Sequence, residues 1–342
     1  MSTPPRDEPQ NTDEATENNV FLDATLRPSR WNDYVGQKTI KNNLKILLSA
    51  ATERGHVPEH ILFYGPPGLG KTTLAHLIAK ELSAQIKVTS GPAIEKVADL
   101  ASILTNLAAG DILFIDEIHR LNKSVEEILY PAMESGSLDI LIGKGPSART
   151  VQLPLAPFTL IGATTRIALL SSPLRSRFSG GIFRLEFYTT EELSEIIHRS
   201  ASMLGIALAA GAARAIAERS RFTPRTANHL LKRVRDYAQV ERRPIDEQAV
   251  IAALGLLGID VIGLTPSDRS VLETIIKKYN GGPVGLETIA TSLSEEEATI
   301  EEFNEPYLLQ VGMIERTPRG RVATEIAYRH LNLKKSQNDL GL

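Results

Sequence analysis

The run Ile61-Leu62-Phe63-Tyr64-Gly65-Pro66-Pro67-Gly68-Leu69-Gly70-Lys71-Thr72 decides the architecture. Four apolar residues read as a buried strand, Gly65 to Thr72 match G-x-x-x-x-G-K-[ST], and Thr73 to Leu82 follow with a helical pattern. In that arrangement successive backbone N–H groups and a helix N-terminus wrap a polyphosphate, with Lys71 reaching the β- and γ-phosphates and the Thr72 hydroxyl on Mg²⁺. A plain glycine-rich turn is the competing reading, and the flanking strand and helix argue against it.

A second signal stands 45 residues beyond Lys71, where Ile112 to Ile115 run into Asp116-Glu117. A buried strand ending in two carboxylates places one near a metal's water shell and the next where it polarises an attacking water. Alone such a pair is often a strand end meeting solvent; beside a phosphate loop it gains meaning. Thr159 to Ala163 deliver Thr164 and Thr165 to the same carboxyl edge, where open α/β sheets bind ligands. Ser172 to Phe178 offer Arg175 and Arg177, either of which could stabilise transferred phosphoryl charge or make a surface ion pair. Thr223-Pro224-Arg225 opens a helix with an arginine that gains nothing from the dipole there, which favours phosphate contact without excluding a bland role.

Around these motifs the chain divides. Its 342 residues predict two or three domains, and 42% hydrophobic with 23% charged residues is ordinary globular composition. Without cysteine there is no disulfide frame, thiol nucleophile or Cys-ligated zinc. The balance of 38 basic and 41 acidic residues confines any nucleic-acid contact to a local basic patch. No apolar stretch approaches ~18 residues, and the start lacks the basic and apolar regions of a secretory signal, so a soluble, cytoplasmic protein is expected. Residues 1–25, with six acids against Arg6 alone, read as a disordered tail. Residues 26–187 alternate strand and helix and predict an α/β domain with buried parallel strands at 61–64, 86–89, 112–116 and 159–164. Residues 188–260 predict a small all-α domain, with helices over 191–204, 209–219 and 224–240. Residues 261–335 predict three helices and a hairpin, the order of a winged helix, with 336–342 a tail.

Gly65 to Thr73, Thr89 to Pro92, Leu113 to Leu121, Glu127 to Glu134, Phe158 to Arg166, Gly281 to Leu286 and Arg316 to Arg321 together closely resemble the RuvB family, the bacterial Holliday-junction branch-migration motors of the AAA+ class. The resemblance spans about Leu26 to Leu333. It implies a three-layer AAA+ ATPase domain, a helical lid and a winged-helix DNA-binding domain. It also implies ATP and Mg²⁺, a homo-hexamer, DNA and RuvA as partners, RuvC in the wider complex, and no membrane. Residue by residue, it places Lys71 and Thr72 on the Walker A lysine and magnesium threonine, among nucleotide contacts that include Gly65, Gly68, Gly70 and Thr73. Asp116 and Glu117 fall on the Walker B pair, Asp116 holding Mg²⁺ through water and Glu117 positioning the attacking water. Thr165 falls on sensor 1, Arg177 on the finger acting on a neighbouring subunit, and Arg225 on sensor 2. Leu26, Arg27 and Tyr188 are similar to positions bordering the nucleotide, and Arg316 and Arg321 lie in the segment used on DNA. Ser179-Gly180-Gly181 is one residue longer than the family's usual pattern.

Leu138, Ile140 and Ile142 alternate with Asp139, Leu141 and Gly143, then turn before Arg149 to Leu153, predicting a β-hairpin. It is either core-packed or, as the resemblance implies, the RuvA dock. From Val311 to Lys335 six basic residues face only Glu315 and Glu325, a surplus suited to sequence-independent phosphate contacts or to a solvated face. A clamp-loader-like or protein-remodelling ATPase would share every ATPase motif and differ only after Gly263. A winged-helix regulator that merely binds ATP would not need Glu117.

Overall fold

The computed structural model describes residues 25–142 and 149–334, without the side chains of 140–142, 149 and 150. The described residues form two compact units, 25–65 with 70–186 and 66–69 with 187–334.

In the first unit, helix α1 (Lys38–Glu53) precedes β1 (Ile61–Tyr64), α2 (Lys71–Glu81), β2 (Ile86–Ser90), α3 (Val97–Thr105), β3 (Ile112–Asp116) and α4 (Lys123–Glu134). The hairpin β4 (Ser137–Ile142) and β5 (Arg149–Pro154) is followed by β6 (Thr159–Thr164), α5 (Ser172–Ser176) and β7 (Gly181–Arg184). Five strands make one parallel sheet in the order β2-β3-β6-β1-β7, and β4 pairs only with β5. Successive residues of each central strand face opposite layers. Leu62, Leu113, Ile115 and Leu160 join Ile118, Val125, Leu129 and Phe178 in one fully buried cluster, while α2 packs against β3 and β6. Three strands expected to be buried are so; the fourth, β2, lies at the sheet edge with Val88 half exposed. Strand β7 carries no clear signal, because Gly181-Ile182-Phe183-Arg184 holds only two consecutive apolar residues. Ser179 and Gly180, in the segment expected to be one residue longer than the family's pattern, form the turn into β7, where Gly180 N–H donates to the His60 carbonyl at 2.9 Å.

In the second unit, α6 (Thr190–Met203), α7 (Ala212–Ala217), α8 (Pro224–Val240) and α9 (Glu247–Leu256) form the lid. Thr189 and Glu192 make a reciprocal capping box at its start. The last domain has α10 (Pro266–Glu273) continued by a π turn (Thr274–Lys278), then α11 (Leu286–Leu293). A broken helix, α12, runs as Glu297–Thr299, a π turn Ile300–Asn304 and Glu305–Gln310. The hairpin β8 (Ile314–Thr317) and β9 (Gly320–Ala323) and a closing α13 (Glu325–His330) complete it. Leu272, Ile275, Ile289, Leu308 and Ala327 share its core. Three helices and a hairpin in that order are a winged helix; α13 had gone unpredicted.

The lid meets the winged helix through Arg221. Its guanidinium pairs with the fully buried Asp268 at 2.6 Å, donates to the Phe303 carbonyl at 2.6 Å, and lies 4.6 and 4.5 Å from the ring centres of Phe303 and Tyr307. Asp268 also accepts from Thr265 and from Asn304, so a charge that would be costly to bury alone is fully engaged.

Candidate nucleotide and DNA sites

The parallel register brings the ends of β1, β3 and β6 side by side, so Gly65 at the start of the phosphate loop, Asp116-Glu117 and Thr164-Thr165 share one sheet edge. Gly70 takes φ 97°, a backbone other residues avoid, and so turns the loop into the first turn of α2. Lys71 is buried and its Nζ donates to the Gly65 carbonyl at 2.8 Å, across the mouth of the loop. Thr72 and Thr73 follow in the same turn.

Asp116 closes β3 and its Oδ1 accepts from the Glu117 N–H at 2.9 Å. Glu117 itself takes a left-handed φ of 47° and forms an ion pair with Arg120 at 3.2 Å. What keeps it there lies on another strand. A side chain on Gly91, just after β2, would strike the Glu117 carbonyl and crowd the Leu121 N–H, so a glycine is needed for Glu117 to turn where it does. Thr164 is buried, bonding His119 Nδ1 at 2.9 Å and the Arg166 N–H at 3.0 Å, and so ties β6 to the turn after Glu117. Thr165, beside it, is half-buried. Thr72 and Asp116 are hard oxygen donors, and no cluster of three or more His, Asp or Glu residues able to hold a metal exists among the described residues. That pairing fits Mg²⁺, which takes one or two protein oxygens and completes its shell with water and substrate phosphates.

The loop tip, in the second unit, is held by residues expected near the nucleotide. Arg225 N–H donates to the Gly68 carbonyl and the Tyr188 hydroxyl to the Leu69 carbonyl, both at 3.3 Å; the Arg225 side chain is exposed. Leu26 is buried and Arg27 exposed in the first unit. Arg27 lies close enough to His76 on α2 to add its repulsion to burial, and together they depress the imidazole pKa.

Arg177 does not join the loop within its own chain. It stacks 4.5 Å over the Tyr130 ring, pairs with Glu134 at 3.0 Å and donates to the Pro173 carbonyl at 2.7 Å. Tyr130, at the foot of this arrangement, bonds Glu126 and Ser171, and burial raises its hydroxyl pKa.

On the hairpin the expectation for Leu138 is corrected. It is wholly buried in the core beside α4, because this first inward position of β4 lies at the hairpin base. Ile140 and Ile142 have side chains outside the described residues; Val151, paired with Ile140, is exposed.

On the wing, Arg316 and Arg321 are direct cross-strand partners. Both grip the buried Glu305: Arg316 through Nε and Nη2 at 3.1 and 2.8 Å, Arg321 through the same atoms at 2.8 and 3.1 Å. Burial pushes the Glu305 carboxyl pKa up, but the hydrogen bonds and charges of the two arginines outweigh it and hold the pKa below its usual value. Sequence reasoning missed Glu305, Gly91, Tyr130 and His119. Each acts on a partner at least 11 residues away, and only the glycine-proline after β2 hinted at a special position.

Known proteins agree with this geometry. The Holliday junction DNA helicase RuvB P-loop domain matches residues 26–185, the RuvB AAA lid domain residues 188–260, and the RuvB C-terminal winged helix domain residues 261–332. The chain is 57% identical over 319 residues to the Holliday junction branch migration complex subunit RuvB of Dehalococcoides mccartyi, covering 93% of this chain and 91% of the relative. It superposes on the Thermotoga maritima RuvB Holliday junction branch migration motor with TM-score 0.83 and 51% identity, over 91% of this chain and 99% of that one. A lysine-to-arginine variant of the Thermotoga protein gives TM-score 0.83 and 52% identity over 90% and 99%. With the similarity running through all three domains, the chain belongs to the RuvB family.

Proposed function

We propose that this chain is an ATP-driven motor subunit for branch migration of Holliday junctions. The observation that carries the reading is the joining, in one chain of this family, of a complete phosphate-loop and carboxylate edge to a winged helix that bears paired arginines.

Lys71 and the loop N–H groups hold the ATP phosphates; Thr72, and Asp116 through water, would hold Mg²⁺, which would supply positive charge to the transferring phosphoryl group. Glu117 orients and polarises the attacking water, and Thr165 senses the γ-phosphate. Arg177 leaves its own chain's Tyr130 to reach a neighbour's nucleotide in a hexameric ring. Arg225 opens the helix whose backbone already contacts the loop tip, so the lid responds to what the loop holds. The hairpin with exposed Val151 docks RuvA, while RuvC joins in a wider cytoplasmic complex. The wing contacts duplex phosphates without reading bases.

Dissociation of a synthetic four-way junction is the test. Products should need both RuvA and hydrolysable ATP, and Ile140→Asp should abolish the RuvA stimulation. A chain that hydrolyses ATP yet leaves junctions intact under all conditions would instead be a remodelling or clamp-loader-like ATPase.

A further inference from the structure

Arg316 and Arg321 stand opposite each other on the wing, an arrangement in which two like charges repel. Glu305 lies between them, its side chain 2% exposed, and accepts four N–H bonds, two from each guanidinium. Arg321 is 16% exposed, its backbone exchanges hydrogen bonds with Val284, and its side chain is held by its two bonds to Glu305. Arg316 is 55% exposed. A guanidinium has five N–H donors, so each arginine keeps three beyond those spent on Glu305. The cluster carries two positive charges and one negative, and its net positive charge is held in one orientation.

We propose that Glu305 is a positioning residue for duplex DNA: it aligns Arg316 on Arg321 so that the unspent donors of Arg316 meet a backbone phosphate without ordering a free side chain. This rests on the reading of the wing as the DNA surface. The fixed fork removes rotamer entropy before binding, the usual gain from preorganisation. The placement of Glu305 follows from the π turn Ile300–Asn304, which inserts a residue's worth of rotation just before it, while Asn304 anchors that turn on Asp268.

The proposal and simple charge counting differ in sign. Removing a carboxylate near DNA should tighten binding if the arginines act as point charges. It should weaken binding if they act through a fixed geometry. The experiment measures affinity of the full-length protein for a fluorescent duplex over a salt series, for the unmodified chain, Glu305→Gln, Arg316→Lys and the double variant Arg316→Ala/Arg321→Ala. Glu305→Gln should bind on the order of ten-fold more weakly, with the slope of log affinity against log salt smaller by about 1, the loss of one phosphate contact. Arg316→Lys keeps the charge but not the fork, and should lose most of the same affinity. Equal or tighter binding by a Glu305→Gln protein with unchanged circular dichroism overturns the proposal. If that variant does not fold, Arg316→Lys binding as well as the unmodified chain overturns it, because Arg316 is half exposed and its replacement leaves Glu305 paired with Arg321. Undiminished binding by the double variant removes the DNA role of this face itself, a failure distinguishable from the first, in which Glu305→Gln binds normally while the double variant still binds weakly.

Discussion

The guanidinium of Arg177 rests 4.5 Å above the ring of Tyr130, and its Nε is buried there without a hydrogen-bond partner. An unsatisfied buried donor is a cost the fold carries. If Arg177 acts on a neighbouring subunit's nucleotide, as proposed above, this unsatisfied donor makes the place less costly to leave. Arg177→Ala should therefore leave ATP binding and assembly intact while slowing turnover by roughly 10³- to 10⁵-fold, the range for such fingers. Tyr130→Leu should slow it less, since it removes the platform and not the charge. Steady-state hydrolysis beside fluorescent-nucleotide binding separates the two; near-normal turnover by Arg177→Ala would take the finger role away.

Gly91→Ala should be nearly as damaging to hydrolysis as Glu117→Gln. The new methyl group meets the Glu117 carbonyl on rigid backbone, so Glu117 must move while Lys71 and the loop stay put. Unchanged nucleotide affinity with lost turnover is the expected pair of results, and unchanged turnover would show that Glu117 is not held by this contact.

Arg221 is the sole charged side chain among the described residues paired with the buried Asp268. Taking one partner from a buried pair costs about 3 kcal/mol or more, and here the remaining bonds to Asp268 favour the low end. Arg221→Ala should lower stability by about 3 kcal/mol in urea unfolding. Arg221→Lys should recover only part of this, since a point charge cannot both pair with Asp268 and stack between two rings.

Below neutral pH the first unit should weaken. His60 accepts the Leu160 N–H at Nδ1, so Nε2 carries the proton it donates to the Met133 carbonyl. Burial lowers the His60 pKa from 6.5, against the smaller opposing effects of the Met133 bond and Glu59. The unfolded chain thus takes up a proton before the folded one does, and stability falls as pH drops below 6.5 toward the folded pKa. His76 adds to the same trend. Melting temperatures from pH 7.5 down to 5 should fall less steeply for His60→Asn than for the unmodified chain, although that variant starts lower. Parallel curves would remove His60 from the effect.

The phosphate loop, the Asp116-Glu117 strand, the lid helices and the winged-helix order were legible because each of their elements is written within a stretch of chain shorter than about twenty residues, where periodicity and spacing are direct consequences of strand and helix geometry. Leu138 shows where that logic stops. Alternation marked the residues of β4 that share a face, but whether a face meets the core or solvent at a given rung depends on α4, which packs there.

The sequence by itself determined that a parallel α/β ATPase domain, a helical lid and a winged helix follow one another, and that the phosphate loop and the Asp116-Glu117 pair each lie at the end of a buried strand. Only the tertiary structure decided that Gly91 packs against Glu117, that Arg177 stacks on Tyr130 and pairs with Glu134, and that Glu305 binds Arg316 and Arg321. A hydrogen bond tolerates errors of a few tenths of an ångström, whereas a hydrophobic pattern specifies only which face turns inward. Contacts of that accuracy are set where separate elements pack against one another.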